Sequence, residues 1–287
     1  MLSKEQSHAF WRDGFLVVDD AVAPEQLQGM RRDFASWTEE SRTHAESYGE
    51  TVDGRPRFDL DPSHTPDHPA LRRVNAPVDV SEPFWSAASA SVMTDAVAEL
   101  IGPNLVFHHA KINSKASESV TPVMFHQDFP FEPHSNDDLI TALLALEDVD
   151  EANGALQVLP GSHKGPIFSL RDGSGKFTGA VDAKTEAVCQ RGSVLVRQKA
   201  GSVCLMHTRV LHGSRANTSN RPRTLFICCF TSEDAVPLSP NPMPSKYMGA
   251  LVRGERTGRV RCIDVDMELP DIPKGASFFD QQADIAA

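Results

Sequence analysis

Residues 124–139 read "MFHQDFPFEPHSNDDL" and set His126 one residue from Asp128. Side chains of an extended chain alternate with period two, so an H-x-D triplet puts imidazole and carboxylate on one face. Those two donors can converge on one ion. A second histidine from a neighbouring strand would complete three ligands and leave the other positions open. That is the 2-His-1-carboxylate arrangement suited to non-haem Fe(II) and oxygen chemistry. A polar strand end can carry the same triplet with no metal, so residues elsewhere must decide. In "GSVCLMHTRVLHGSRANTSNRPRTLFICCF" a strand-like run ends near Met206, and His212, Gly213 and Ser214 follow. After a polar turn a last strand begins beside Arg223, eleven residues past His212. One strand then presents a metal ligand and the next an arginine aimed into the same pocket. A buried guanidinium needs a carboxylate, which it can hold by a two-point, charge-assisted contact.

The elements that must position these groups divide the chain. Ser3 to Gln6 has the form of a capping box, which predicts a short helix over about 4–12. Gly14 ends it and "FLVVDD" reads as a strand. Pro24 opens an amphipathic helix with Leu27, Met30, Phe34 and Trp37 at helical spacing. Residues 42–80 are polar, too long for a simple connection, and read as a functional or mobile loop. Ser81 opens a third helix, closed by Gly102-Pro103. Beyond 103, short apolar runs ("LVFHHAKI", "LITALLALE", "ALQVL", "SVLVR", "SVCLM", "TLFICCF") alternate with Gly/Pro turns. That texture predicts a mainly-β jelly roll with the front helices packed on one sheet. The expected organisation is a single domain over 1–287: a helical part and polar loop to 102, a β-barrel core over 103–232, and a C-terminal extension over 233–287.

Composition narrows the function classes. The chain has 287 residues, 40 % of them hydrophobic, enough for a core without staples. Net charge is −11 and no Lys/Arg run reads as a nucleic-acid patch. No signal peptide and no run long enough for a membrane span is read, so a cytoplasmic protein is expected. The five cysteines form no CxxC, and reduced thiols are expected. Cys228 and Cys229 should point to opposite faces of a strand.

Taken together, "FHQDF" at 125–129, "NGALQVLPGSHKG" at 153–165, "LHGSRANTSNRPR" at 211–223 and the N-terminal "FWRDGFLVVDDAV" resemble the phytanoyl-CoA dioxygenase (PhyH-like) family of Fe(II)/2-oxoglutarate-dependent oxygenases. The resemblance covers about residues 5–232. It implies a double-stranded β-helix, Fe(II) held by His126, Asp128 and His212, and 2-oxoglutarate and O2 as co-substrates. It implies that Arg223 holds the far carboxylate of 2-oxoglutarate with help from Ser214. Gln127 and Asn113 stand where relatives contact the co-substrate, and Lys111 shares the face of Asn113. Halogenating relatives carry a small residue in place of the carboxylate ligand, so Asp128 argues for hydroxylation. The expected partner is a small or medium metabolite, with no nucleic acid and no membrane, acting on a monomer or homodimer. A cupin-type metal enzyme that does not use 2-oxoglutarate, and a silent binding protein on the same fold, are the rival readings.

The remaining candidates have plainer expectations. His134 reads as a surface loop residue at the barrel mouth, His163 as a turn residue, and His207 as structural. His108 and His109 read as strand residues with no metal role. Asp137 and Asp138 read as loop caps, and Arg221 as a solvated turn residue. Arg57, Arg72 and Arg73 read as a solvated face. The 42–80 segment and the chain beyond 232 are the expected lids.

Overall fold

The computed structural model describes residues 1–117 and 122–271. Helix α1 (Lys4–Asp13) begins with the expected capping box: Ser3 Oγ accepts from the Gln6 amide, and the Gln6 side chain accepts from the Ser3 amide. Gly14 ends it at φ 84°, a left-handed conformation that glycine adopts freely. Strand β1 (Phe15–Val18) and helix α2 (Pro24–Glu40) follow.

Residues 42–80 do not form a free loop. They contain β2 (Phe58–Leu60) and β3 (Leu71–Asn75), which extend the larger sheet, and Tyr48 bridges to Phe58. Part of the polar composition here satisfies buried groups. Arg57 donates from Nη1 to the carbonyls of Asn75 and Ala76, and Arg72 pairs with Asp59 at 2.9 Å. Arg57 and Arg73 are buried, contrary to the solvated face expected of them.

The third expected helix is two, α3 (Glu82–Ser89) and α4 (Val92–Ile101). Ala90 leaves the helical region at φ −146°, and Ser91 caps afresh by accepting from the Thr94 amide. A serine that can satisfy an orphan helix donor competes with helix continuation.

The β core runs through β4 (Leu105–Lys115), β5 (Val123–His126), β6 (Leu139–Ala145) and β7 (Leu156–Val158). Helix α5 (Ala183–Gly192), capped by Asp182, leads into β8 (Val194–Val196). Then come β9 (Val203–His207), β10 (His212–Ser214), β11 (Arg223–Ser232) and β12 (Leu251–Arg253). One antiparallel sheet has the order β1-β9-β6-β11-β4-β3-β2, with β12 also on β4; the other is β5-β10-β7-β8. This is the expected double-stranded β-helix.

Alternation explains the layers. Ile140, Ala142 and Leu144 of β6 and Phe226, Cys228 and Phe230 of β11 join the core shared with the helices. Leu143, Leu225 and Ile227 point the other way, into the space between the sheets. Cys228 and Cys229 fall in different clusters, as expected of neighbours on a strand. The chain beyond 232 is tied down rather than loose: β12 pairs with β4, and Ser135 accepts from the Val236 amide. The last part of the expected C-terminal extension, 272–287, lies outside the described residues.

Candidate active site

His126 is the last residue of β5, and His212 the first of β10. The two are directly paired across the strands. Asp128 does not sit on the strand. Its backbone is already helical (φ −73°, ψ −36°) and it opens the tight turn Phe129–Phe131. The carboxylate still converges with the imidazoles: Asp128 Oδ1 lies 3.5 Å from His126 Nε2 and 3.6 Å from His212 Nε2.

The surroundings prepare these atoms for an ion. His126 Nδ1 lies 2.7 Å from the Met124 carbonyl and His212 Nδ1 lies 3.0 Å from the Val210 carbonyl. A carbonyl only accepts, so both rings carry the proton on Nδ1 and turn the Nε2 lone pair toward Asp128. Thr141 Oγ1 donates to Asp128 Oδ2 at 2.6 Å, leaving Oδ1 to the histidines. Burial holds the His212 pKa down at about 4, so its ring is neutral near pH 7. Burial would raise the Asp128 pKa, but the His212 and His126 side chains overcome it and the carboxyl is held below its ordinary range. Two imidazole nitrogens and a carboxylate facing one point fit a divalent transition metal.

The same cavity leads to Arg223. His126, Asp128, Thr141, His212, Ser214 and Arg223 all line it, and so do Lys111, Asn113 and Lys115. Arg223 is 4 % exposed, and its Nε has no partner among the described residues. Burial lowers its pKa to about 10, which still leaves it charged near neutral pH. Nη2 reaches Ser214 Oγ at 3.5 Å. A buried cation with an unmet donor, lining one cavity with the His126, Asp128 and His212 side chains, fits one end of a dicarboxylate.

Lys115 was missed by the sequence reading. It pairs with Arg223 across β4 and β11, and its Nζ donates to Ser214 Oγ at 2.9 Å and to the Arg215 carbonyl. The signal was present: Lys111, Asn113 and Lys115 share one face by period two. Asn113 does reach the cavity, with its Oδ1 accepting from Arg73 Nε at 3.0 Å. Gln127 does not. Its Nε2 donates to the carbonyls of Pro166 and Arg209, and its Oε1 accepts from the Phe168 amide. The neighbour of two ligands along a turning chain points away from them, so Gln127 ties loops together.

Other expectations need correction. His134 is 2 % exposed, not a surface residue, and its ring packs edge-on against His108. Asp137 and Asp138 pair with Arg209 and Arg261 instead of capping a loop. His108 and His109 are strand residues as expected, yet with Glu132 they form a second buried group of possible ligands. Arg221 is an exposed turn residue paired with Asp150, and His207 is buried on β9. His163 is buried in the turn Ser162–Lys164.

Two antiparallel sheets with a 2-His-1-carboxylate set between them place the protein among the cupin-like jelly rolls. The phytanoyl-CoA dioxygenase (PhyH) pattern matches residues 10–225, and the chain belongs to that family. It is 34 % identical over 203 residues to a probable alpha-ketoglutarate-dependent hypophosphite dioxygenase of Stutzerimonas stutzeri, covering 70 % of this chain and 71 % of the relative. Among solved structures, EctD from S. alaskensis with 2-oxoglutarate and 5-hydroxyectoine superposes with a TM-score of 0.64 at 18 % identity, covering 91 % of this chain and 88 % of that one. The same protein with bound Fe gives a TM-score of 0.63 at 18 % identity, over 93 % and 88 % of the two chains. No helix among the described residues is long and apolar enough to cross a membrane.

Proposed function

We propose that the protein is an Fe(II)- and 2-oxoglutarate-dependent dioxygenase that hydroxylates a small or medium metabolite. One observation carries this reading: a His126–Asp128–His212 triad and a buried Arg223 face the same cavity. The whole chain acts as one oxygenase domain, with the 103–232 core supplying every assigned residue. Family membership and the cofactors named for the relatives support it. So does the retained carboxylate at 128, which favours oxygen insertion over halogenation.

In this reading His126, Asp128 and His212 hold Fe(II). The backbone carbonyls of Met124 and Val210 and the Thr141 hydroxyl fix the three donors before metal arrives, which limits reorganisation. Arg223, with Ser214 and Lys115, takes the far carboxylate of 2-oxoglutarate. Asn113 and Lys111 border the path between the two ends and add a donor and a charge to it. Once loaded, the site supplies an oxidant from O2 while 2-oxoglutarate is converted to succinate and CO2. The chain's own contribution is orientation and the exclusion of water by Leu143, Leu156, Leu225 and Ile227, the apolar wall of the cavity. The substrate is small in this account, as hypophosphite is for the S. stutzeri relative. Succinate release from 2-oxoglutarate tests the assignment: it should occur with the native chain and be abolished in His126→Ala and Asp128→Ala. Undiminished release in either variant contradicts it.

A further inference from the structure

Strand β4 carries a second convergence of metal-binding side chains. β4 and β11 pair one to one from Lys115–Arg223 up to His109–Cys229, and then the register shifts so that Phe230 faces Phe107. His108 is the extra residue of a β-bulge. Phe107 and Ala110 both lie in the helix-side core, so the two histidines between them turn inward together. A regular strand would send only one of them there. Both Nε2 atoms meet one carboxylate oxygen: Glu132 Oε2 is 3.3 Å from His108 and 2.9 Å from His109. The three residues are 6 %, 4 % and 4 % exposed, and none lines the cavity around His126 and Arg223.

A closed hydrogen-bonded clamp is the simpler reading, and it accounts for part of this. His109 Nε2 is hydrogen bonded to Glu132, and the Asn241 amide lies 3.4 Å from His108 Nδ1. It does not account for His108 Nε2. That atom stands 3.3 Å from the carboxylate yet makes no hydrogen bond, and it has no partner among the described residues. A nitrogen placed beside an oxygen without a hydrogen bond between them suits two ligands of one ion. Donors about 2.1 Å from a shared ion lie roughly 3 to 3.5 Å apart; the His108 gap of 3.3 Å falls in that range and the His109 gap of 2.9 Å just below it. The set resembles the triad in the cavity, where the corresponding gaps are 3.5 and 3.6 Å. His134 packs beside this set without joining its converging donor atoms. Its Nδ1 donates to the carbonyl of Glu132, two residues back, as His126 and His212 do to theirs, and its ring centroid is 4.7 Å from that of His108. Lys111 and Arg73 place positive charge on the His109 side, and Asp128 and Glu132 offset it.

We propose that His108, His109 and Glu132 form a second divalent-metal site separate from the catalytic cavity. Two imidazoles and one carboxylate in a buried setting suit a zinc-type ion. Glu132 and Asp128 bound the same turn, Phe129–Phe131, so an ion on Glu132 would brace the turn that carries the cavity carboxylate.

Zinc titration of chelator-stripped protein, read by metal analysis after gel filtration, tests this without relying on turnover. The His126→Ala/Asp128→Ala double variant should still bind one zinc per chain. Adding Glu132→Gln or, separately, His108→Phe should remove it. The single Glu132→Gln variant should keep the anaerobic Fe(II)–2-oxoglutarate absorption band, which separates loss of this site from loss of the cavity. A folded double variant that binds no zinc overturns the proposal. So does one whose zinc survives both Glu132→Gln and His108→Phe.

Discussion

Lys115 and Arg223 are cross-strand partners, and their side chains end at the same hydroxyl, Ser214 Oγ, at 2.9 and 3.5 Å. Burial and the neighbouring Arg223 charge push the Lys115 pKa well below its ordinary range, a penalty that an anion lying between the two side chains would relieve. Loss of a charge-assisted contact costs about 1.5–3 kcal/mol, roughly 10- to 100-fold in affinity. Arg223→Leu should therefore weaken 2-oxoglutarate binding by that factor and Lys115→Met by about the lower end of it, with Fe(II) affinity unchanged. Anaerobic titration of the iron-loaded protein with 2-oxoglutarate measures both. Equal affinity in Arg223→Leu and the native chain would remove the carboxylate anchor from the account.

Gln127 makes the opposite prediction. Its amide serves two carbonyls and one backbone N–H, all outside the cavity. Gln127→Leu should cost about 1–3 kcal/mol of stability by leaving those part-buried groups unpaired. The 2-oxoglutarate affinity of the folded variant should match the native value. Denaturant unfolding and the titration above separate the two effects, and a large loss of affinity at native stability would restore Gln127 to the site.

Gly213 separates His212 from Ser214 where β10 closes on β5. A Cβ there would stand 2.8 Å from the Val123 carbonyl oxygen and 3.2 Å from the Phe125 amide nitrogen. Backbone cannot yield as a side chain can, so Gly213→Ala must push β5, and with it His126, away from His212. Metal affinity should fall by about tenfold or more while circular dichroism stays native, since ligand geometry tolerates little displacement. Native affinity in the variant would show that the two strands are not held at contact.

Burial lowers the pKa of His108, His109, His134, His163, His207 and His212, with His207 and His212 near 4 and His108 and His109 near 3. In the unfolded chain these rings titrate near 6.5 and bind protons that the folded protein refuses. Their stabilising contribution is therefore complete above pH 6.5 and is lost as pH falls toward 4. Glu132, Asp138 and Glu147, with raised pKa values, act with the opposite sign and are fewer. The melting temperature of the metal-free protein should fall steadily between about pH 7 and pH 5. A flat profile there would mean that the histidines are not neutral and buried as described.

The convergence of His126, Asp128 and His212 was legible because it depends on chain chemistry that spacing records. His126 and Asp128 flank one residue, and His212 and Arg223 flank one turn. The reason given for the first pair was incomplete, since Asp128 reaches His126 from a helical turn and not along a strand. What spacing could not show is which polar residues are buried. Arg57, Arg73 and His134 look like solvent-facing residues in sequence, and each is buried through pairing with a backbone group or another side chain. The bulge at His108 is equally silent, because one extra residue in a ladder is visible only in its register. The strands β2 and β3 were hidden for the same reason: short strands carrying Arg and Asp lack the apolar alternation by which β6 and β11 announce themselves.

The central claim is that one cavity holds iron at His126, Asp128 and His212 and 2-oxoglutarate between that iron and Arg223. Anaerobic addition of Fe(II) and then 2-oxoglutarate tests it directly by visible absorption. The account predicts a metal-to-ligand charge-transfer band that saturates at one 2-oxoglutarate per chain and is absent in Asp128→Ala. Iron bound in the native protein with no band on adding 2-oxoglutarate would contradict it.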